Sequence, residues 1–174
     1  MSKVITILED KLVPVAAWIA QNKYINGIRR AFIMMMPLLM IGSIFLMISA
    51  FPLPAYQRGM TSLFGEGWKD VLDIPVSATF SLIALYVAFL VAQQLAKQFE
   101  LDSIAVGLLS LASFLILTPL GHSTEHGAVI TFDWLGSKGM FVAMVIGVVT
   151  VKIFQFFVNR NILVKMPDGV HQKL

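Results

Sequence analysis

The residue pattern with the clearest chemical potential is H-S-T-E-H, which runs from His122 to His126. Two histidines with a glutamate before the second have the H-x-x-E-H order of inverted zinc proteases. In that chemistry both imidazoles lie one helical turn apart and bind one zinc ion, while Glu125 acts as base for the bound water. A third ligand must come from elsewhere, and Asp133 is near enough in the sequence to suggest one.

The flanking residues argue against a zinc site. Pro119 and Gly121 precede the pattern and Gly127 follows it, and such residues interrupt the regular helix that would align the imidazoles. We therefore interpret the segment as a loop at the outer membrane surface, and we expect no metal site, no cofactor and no catalytic residue. The sequence also contains no glycine-rich phosphate loop and no Ser-His-Asp arrangement, and we assign no substrate-binding residue.

The composition is that of a protein embedded in lipid. Of 174 residues, 57% are hydrophobic and 13% are charged, whereas soluble domains average roughly 45–50% apolar and about 25% charged residues. The chain has no cysteine, which excludes disulfides and cysteine nucleophiles. Basic residues are scattered and form no continuous stripe, so the net charge of +3 does not indicate binding to nucleic acid.

The first 26 residues are predicted to form an amphipathic segment at the membrane interface. Apolar residues recur at spacings of three and four between positions 4 and 19, with the charged residues mostly on the other side. Such a helix is too charged to cross the bilayer but can lie along it, with Trp18 near the headgroups. Pro14 should kink or divide it. An ordinary solvated helix is the alternative interpretation.

Four stretches with at most one charge each are predicted to cross the membrane as helices. The predicted spans are residues 31–55, 75–96, 103–120 and 139–159. Lys152, the one charge within them, is expected to extend its ammonium group to the interface. The predicted fold is therefore an all-α membrane protein, with an interfacial helix followed by a transmembrane scaffold over residues 27–174.

The distribution of basic residues predicts the orientation. One side of the predicted spans carries nine, namely Lys3, Lys11, Lys23, Arg29, Arg30, Lys97, Arg160, Lys165 and Lys173, and the other carries three, namely Arg58, Lys69 and Lys138. The side rich in lysine and arginine faces the cytoplasm in membrane proteins. Both termini are thus predicted to be cytoplasmic in a bacterial inner membrane, with the loops at 58–73 and 120–138 outside.

Small residues at four-residue spacing predict where the helices pack. They are Ala84, Ala88, Ala92 and Ala96 on the second span, Ser103 and Gly107 on the third, and Gly139, Ala143 and Gly147 on the fourth. Small side chains allow close backbone contact, which favours helix association in lipid. We expect these seams to pack within the chain, and a dimer interface is the alternative.

Several stretches together resemble a known membrane family. They are LVPVAAWIAQNKYINGIRRAFIMMMPLLMIGSIFLMI, AVGLLSLASFLILTP, DWLGSKGMFVAMVIGVVTVKIF and NILVKMPDGV. Their order and spacing, from Lys3 to Val170, resemble the N-terminal half of enzyme IIC, the membrane permease of the phosphotransferase system, in its lactose, cellobiose and chitobiose family. The residues that recur in that family are Ile28, Arg29, Phe32, Met36, Pro37, Leu38, Lys165, Met166, Pro167, Asp168 and Val170.

The resemblance implies a membrane component that takes up a β-linked disaccharide such as cellobiose, chitobiose or lactose. In a complete relative, sugar binds between two halves and is phosphorylated by enzyme IIB, which is supplied by enzyme IIA. This chain is therefore not expected to be an enzyme. The resemblance also implies that the first half is a scaffold, which contacts a second copy as a homodimer or a second permease half.

The family continues from its K-MPD-V segment into a fifth span, whereas this chain ends at Leu174. The resemblance therefore implies a truncated permease that lacks the sugar-binding half, and it does not indicate which sugar is carried. The alternative hypothesis is a non-transporting membrane protein that dimerises, or docks on a full-length permease and modulates it. A shortened reading frame is a third interpretation.

Overall fold

The structure is a computed structural model of the chain and describes residues 18, 20–123 and 127–160. Its elements are, in chain order, α1 (Lys23–Ser49), α2 (Pro54–Phe64), α3 (Trp68–Val76), a π-helical segment (Ser77–Ser81), α4 (Ile83–Gln98), α5 (Ser103–Leu117), β1 (Leu120–Ser123), β2 (Gly127–Ile130), α6 (Phe132–Leu135) and α7 (Ser137–Asn159). Most of the predicted interfacial segment and the whole K-MPD-V segment lie outside the described residues, so the interfacial helix stays a prediction.

Within the residues that the structure describes, three helical stretches are long and apolar enough to cross a bilayer. They are Lys23–Ser49, Trp68–Gln98 and Ser137–Asn159, of which the second comprises α3, the π-helical segment and α4. The apolar helix α5 has 15 residues, a length of about 22 Å at the helical rise of 1.5 Å per residue. The hydrocarbon core is roughly 30 Å thick, which exceeds the length of α5. The difference between three spans and the predicted four therefore lies in α5.

The first helix differs from the predicted span 31–55 at both ends. It begins where the Asn22 side chain accepts hydrogen bonds from the main-chain N–H groups of Tyr24 and Ile25, at 2.9 and 3.3 Å. An asparagine in this position caps a helix by satisfying its free N–H groups. The helix ends at Ser49, because two prolines follow within five residues and disfavour its continuation.

The central helix of the bundle is α4, and α1, α5 and α7 pack around it. No residue from Thr79 to Ala96 is exposed. The alanines of the predicted seam are completely buried, at Ala84, Ala88, Ala92 and Ala96. The prediction that this seam packs within the chain is therefore confirmed.

Each helix that surrounds α4 contributes a glycine to the contact. A Cβ atom added at these glycines would approach an α4 side chain more closely than ordinary van der Waals contact, for Gly27 against Leu95, Gly107 against Phe89 and Gly147 against Val91. Because a side chain at these three positions would collide with α4, the glycines determine how closely the helices pack. We call the end where α1 begins and α4 and α7 end the basic end, and the opposite end the hairpin end.

The segment predicted as a loop at 58–73 is largely helical, so that prediction was wrong. Helix α2 begins at Pro54, because the fixed φ of proline suits a first helical turn and its missing N–H is not needed there. It ends at Phe64, and the following Gly65 has a φ of 84°. Helix α3 then begins at Trp68 and continues through three charged residues. The glycines that suggested a loop lie at helix ends or, like Gly59, inside α2.

A π-helical segment at Ser77–Ser81 interrupts the second long stretch. The Thr79 hydroxyl lies 2.9 Å from the Pro75 carbonyl oxygen and 3.0 Å from that of Val76. The Tyr86 hydroxyl donates to the Ala78 carbonyl oxygen within the segment, at 2.9 Å. These hydroxyls satisfy carbonyls that a wider turn removes from the regular helical pattern. This segment was not predicted from the sequence.

A two-stranded antiparallel hairpin follows α5, so the fold is mostly helical rather than all-α. Leu120 pairs with Ile130, and Ser123 pairs with Gly127. Main-chain N–H and C=O groups outside helices still require partners, and pairing of the two strands supplies them. The glycines here correctly predicted the absence of a helix. Gly121 and Gly127 lie in the two strands of a hairpin, however, and not in an irregular loop.

Candidate functional surfaces

The first two residues of the H-x-x-E-H pattern, His122 and Ser123, lie on β1 of the hairpin. His122 is exposed on β1, and Glu125 and His126 lie outside the described residues. Asp133 is exposed on α6, and its Oδ1 lies 4.0 Å from the Lys138 Nζ. Within residues 18, 20–123 and 127–160, no three His, Cys, Asp or Glu side chains form a group that could hold a metal ion. Among the described residues, no set of metal-ligating side chains therefore surrounds His122.

Two buried hydroxyl groups inside the bundle donate to main-chain carbonyls. Ser110 is completely buried, and its Oγ donates to the Ala88 carbonyl oxygen at 2.8 Å, which joins α5 to α4. Thr118 donates to the Phe114 carbonyl oxygen of its own helix at 2.7 Å. Hydroxyl groups that are already bonded in this way hold helices in place, and they are not free to bind a ligand.

An apolar cavity of about 370 Å³ lies at the hairpin end between α1, α2 and α3. Its lining residues are Ile48, Met60, Phe64, Gly67, Trp68, Val71 and Leu72. The Trp68 indole N–H donates to Thr61 Oγ1 at 3.2 Å, and the Tyr56 ring meets Trp68 edge-on with centroids 6.1 Å apart. Since the lining side chains are apolar and the indole N–H is occupied, the cavity suits an apolar chain better than a polyhydroxylated sugar.

One hydrogen bond joins α1 to α3 near this cavity. Ser49, buried at the end of α1, donates from its Oγ to Asp73 Oδ1 at 2.9 Å. The carboxylate of Asp73 thus replaces the water that the serine hydroxyl loses on burial. This bond fixes the beginning of the second long stretch, Trp68–Gln98, against the end of the first.

An apolar face of α1 is exposed along much of the helix. Its large side chains recur at spacings of three and four and are each at least 50% exposed, at Ile33, Met36, Met40, Ile44 and Met47. A shallow groove of about 430 Å³ lies on this face. In a membrane such a face contacts acyl chains or a second protein surface. We refer to these five residues as the α1 face.

The basic end carries two lysines that lie over aromatic rings. Lys23 Nζ lies 5.3 Å from the centre of the Phe99 ring, and Lys152 Nζ lies 5.1 Å from the centre of the Tyr24 ring. The two rings contact each other, with centroids 5.5 Å apart. Lys152 is exposed and its Nζ is directed toward the start of α1, whereas its extension to the membrane interface stays a prediction. We refer to these four residues as the cation–aromatic cluster.

Charge is distributed unequally between the two ends of the described structure. The basic end carries the basic residues Lys23, Arg29, Arg30, Lys97, Lys152 and Arg160 and the acidic residues Glu100 and Asp102. The hairpin end carries the basic residues Arg58, Lys69 and Lys138 and the acidic residues Glu66, Asp70, Asp73 and Asp133. The difference has the form expected of a membrane protein whose two ends face different compartments.

Long apolar helices, a central helix enclosed by others and this unequal charge define a multi-pass membrane protein. The family model described as "Phosphotransferase system, EIIC" matches residues 29–172. The chain belongs to this family of membrane permease components.

Known relatives and a solved structure agree with the family assignment. The chain is 42% identical to the "PTS system cellobiose-specific EIIC component" of Geobacillus stearothermophilus and 41% identical to the "Lichenan permease IIC component" of Bacillus subtilis, each over 98% of this chain and 40% of the relative. It matches the crystal structure of the transporter ChbC, "the IIC component from the N,N'-diacetylchitobiose-specific phosphotransferase system", with a TM-score of 0.84 and 39% identity. That match covers 94% of this chain and 40% of that protein. The chain thus spans about two-fifths of the length of these proteins.

Sequence reasoning did not find the cation–aromatic cluster. The available signals were a lysine inside a predicted span and aromatic residues near two predicted interfaces. These residues lie on α1, on α7 and just after α4, far apart in the sequence. Only the packing of the three helices brings them together.

Proposed function

We propose that this chain is the scaffold part of a phosphotransferase-system permease for a β-linked disaccharide. The observation that carries this proposal is the likeness to the chitobiose transporter, which has a TM-score of 0.84 over 94% of the chain. A likeness at 39% identity supports a shared role as well as a shared fold. In this proposal enzyme IIB, supplied by enzyme IIA, phosphorylates the sugar, and the chain itself has no enzymatic activity.

The proposed substrate is a disaccharide of the cellobiose class. Identity is 41–42% to the cellobiose-specific and lichenan relatives, whereas it is 31% and 30% to the lactose-specific relatives of Lacticaseibacillus casei and Streptococcus mutans. This difference favours a glucose-based sugar over a galactoside.

The sugar itself is proposed to bind residues beyond those of this chain. The buried Ser110 and Thr118 hydroxyls bind main-chain carbonyls, and the cavity at the hairpin end is lined by apolar side chains and a glycine. A disaccharide requires several convergent polar groups, which these surfaces do not offer. The part of the relatives that this chain does not span is the proposed location of those groups.

In the proposed membrane arrangement, α5 forms the third of four spans together with the residues that follow it to Leu120. The basic end faces the cytoplasm of a bacterial inner membrane, as its excess of lysine and arginine favours. Both termini lie on that side, and the segment that precedes α1 lies along the inner surface as an amphipathic helix.

The α1 face is the proposed contact with another protein surface. Methionine and isoleucine side chains at this spacing form a continuous stripe that can pack against a second helix. Either a second copy of the chain in a homodimer or a second permease half would cover it.

Transport measured in proteoliposomes tests the proposed function. Vesicles that contain only this chain should neither bind nor exchange labelled cellobiose. Vesicles that also contain the remaining part of the Geobacillus relative, made as a separate polypeptide, should exchange it. Exchange by the chain alone would contradict the proposed location of the sugar site, and failure of the combined vesicles would contradict the proposed scaffold role.

A matched variant shows whether any exchange depends on this scaffold. Replacement of Ala92, which is completely buried, by leucine should abolish exchange in the combined vesicles. Replacement of Ala112, which is exposed on α5, by leucine should leave it unchanged. Equal effects of the two replacements would contradict the proposal.

A further inference from the structure

The cation–aromatic cluster has positive charge but no described negative partner. The one ion pair within residues 18, 20–123 and 127–160 is Lys138 with Asp133, at the hairpin end. Lys23 and Lys152 instead lie over the rings of Phe99 and Tyr24. We propose that this cluster binds the phosphate headgroup of an anionic phospholipid.

The nearby acidic residues do not neutralise these lysines. Asp102 uses its Oδ1 to accept hydrogen bonds from the N–H groups of Ile104 and Ala105, each at 3.1 Å, and so caps α5. Glu100 is exposed in the turn before it and forms no ion pair within 4.0 Å among the described residues. An external anion is therefore the natural partner for the two ammonium groups.

The depth of Lys152 favours a lipid over a soluble protein as the source of this anion. Lys152 lies seven residues before Asn159, where α7 ends, a distance of about 10 Å along the helix axis. An ammonium group that extends from this depth reaches the boundary between acyl chains and headgroups. Phospholipid phosphates occupy that boundary, whereas an acidic protein would have to reach past the helix end.

The surface beside Lys152 suits the acyl chains of the same lipid. Val149 and Val145, which lie three and seven residues before Lys152 on α7, are 47% and 48% exposed, so exposed apolar side chains continue from the lysine away from the helix end. A headgroup on the lysines would place its glycerol and chains against this surface. Free phosphate would gain nothing from these apolar contacts.

The aromatic rings hold the site in place. Tyr24 and Phe99 are half-buried and pack against the core of the bundle, so the positions of the lysines over them are set by three packed helices. A basic pocket between membrane helices on the positively charged side is a recurrent place for acidic headgroups. The proposal does not depend on sugar transport.

Native mass spectrometry of the full chain in detergent tests the proposal, with phosphatidylglycerol and phosphatidylcholine of identical acyl chains as probes. The parent chain should retain phosphatidylglycerol in preference to phosphatidylcholine. The variants Lys23→Gln and Lys152→Gln should each weaken phosphatidylglycerol binding about fivefold, the effect expected of one basic residue near an anionic surface. Lys152→Arg keeps the charge and should restore binding.

The matched control is Lys69→Gln. Lys69 Nζ also lies over a ring, 5.6 Å from the centre of Trp68, but at the hairpin end. Its replacement removes the same charge and should leave phosphatidylglycerol binding unchanged. An equal loss in Lys69→Gln would overturn the proposal, because binding would then follow total charge.

Two further measurements distinguish a lipid site from a site for free anions and from a general attraction of charge. Displacement of phosphatidylglycerol by an equal concentration of soluble glycerol phosphate would show a site for free anions and overturn the lipid proposal. Acetylation of lysines in the parent chain, read by peptide mass spectrometry, requires no variant to fold. Phosphatidylglycerol should protect Lys23 and Lys152 but not Lys69, and equal acetylation of all three would count against the site.

Discussion

Single glycines determine how closely the membrane helices meet. Gly42 of α1 lies against the π-helical segment, where an added Cβ would overlap the Thr79 hydroxyl and lie 2.8 Å from the Thr79 Cβ. Thr79 cannot move away easily, because its hydroxyl bonds to carbonyls of its own helix. The contact between the first two long stretches therefore depends on the absence of a side chain at this position.

Replacement of Gly42 by alanine should lower the free energy of unfolding by about 1–3 kcal/mol, the usual cost of overpacking. Thermal unfolding of the purified chain measures this change. The control is Gly59→Ala in α2, where an added Cβ has no atom within 4 Å and alanine favours the helix. A Gly42→Ala variant as stable as its Gly59 counterpart would show that the helices do not meet as described.

A buried serine offers a second comparison at the residue scale. Ser110→Ala removes the hydrogen bond from α5 to the Ala88 carbonyl oxygen and should lower the free energy of unfolding by about 0.5–1.5 kcal/mol. Ser113→Ala removes a bond to the Leu109 carbonyl oxygen of the same helix and should change it little. Denaturation in mixed detergent compares the two, and equal losses would remove the case for the bond between α5 and α4.

Residue-scale features were predicted only where the sequence pattern itself determines them. The alanine seam of α4 follows from four-residue spacing, and its burial is confirmed. The bond between Ser49 and Asp73 could not be predicted, because it joins residues 24 positions apart through the packing of α1 against α3. The cation–aromatic cluster was missed for the same reason.

At the scale of elements, the π-helical segment sets the orientation of everything that precedes it in the second long stretch. One residue more or fewer in a helix rotates the preceding residues by about 100° around the axis. The burial of Trp68, which is 5% exposed, therefore depends on the residue count at Ser77–Ser81.

Deletion of Ala78 should expose Trp68. The test uses a chain in which Trp18 and Trp134 are replaced by phenylalanine, so that Trp68 alone fluoresces. Acrylamide should quench the deletion variant several times more strongly than its parent. The control Ala78→Ser keeps the residue count and should behave like the parent. Continued protection of Trp68 after the deletion would contradict the described geometry.

Apolar runs predicted the long helices, because a stretch without charges can form only a few structures in lipid. The boundaries were less accurate. The second long stretch begins at Trp68, before the predicted residue 75, since Lys69, Asp70 and Asp73 are tolerated at the end of a membrane helix. The hairpin after α5 was missed because glycines predict an interruption of helix without showing what replaces it.

At the scale of the whole molecule, the unequal charge of the two ends predicts which residues face the cytoplasm. The chain contains no cysteine, so single cysteines can be introduced without a background. Arg58→Cys at the hairpin end should react with a membrane-impermeant maleimide in intact spheroplasts. Lys97→Cys at the basic end should react only after permeabilisation. The opposite pattern would reverse the proposed orientation.

The whole molecule also shows what this chain can and cannot supply. Its family could be predicted from the order of short motifs along the chain, and the comparisons confirm it. A sugar site could not be predicted, and the described cavities and buried hydroxyls provide no convergent set of polar groups for one. The hydroxyls of Ser49 and Ser110 are instead used to join helices, and that of Thr118 binds its own helix.

The enclosed position of α4 has a consequence for synthesis. The ribosome delivers this helix to the translocon before α5 and α7 exist, so a nascent chain at that stage covers it with α1 alone. A polypeptide arrested after residue 98 should therefore be degraded by membrane quality-control proteases much faster than one arrested after residue 160, as pulse-chase labelling would measure. During translation α4 is therefore temporarily exposed, although it becomes the least accessible helix of the finished bundle.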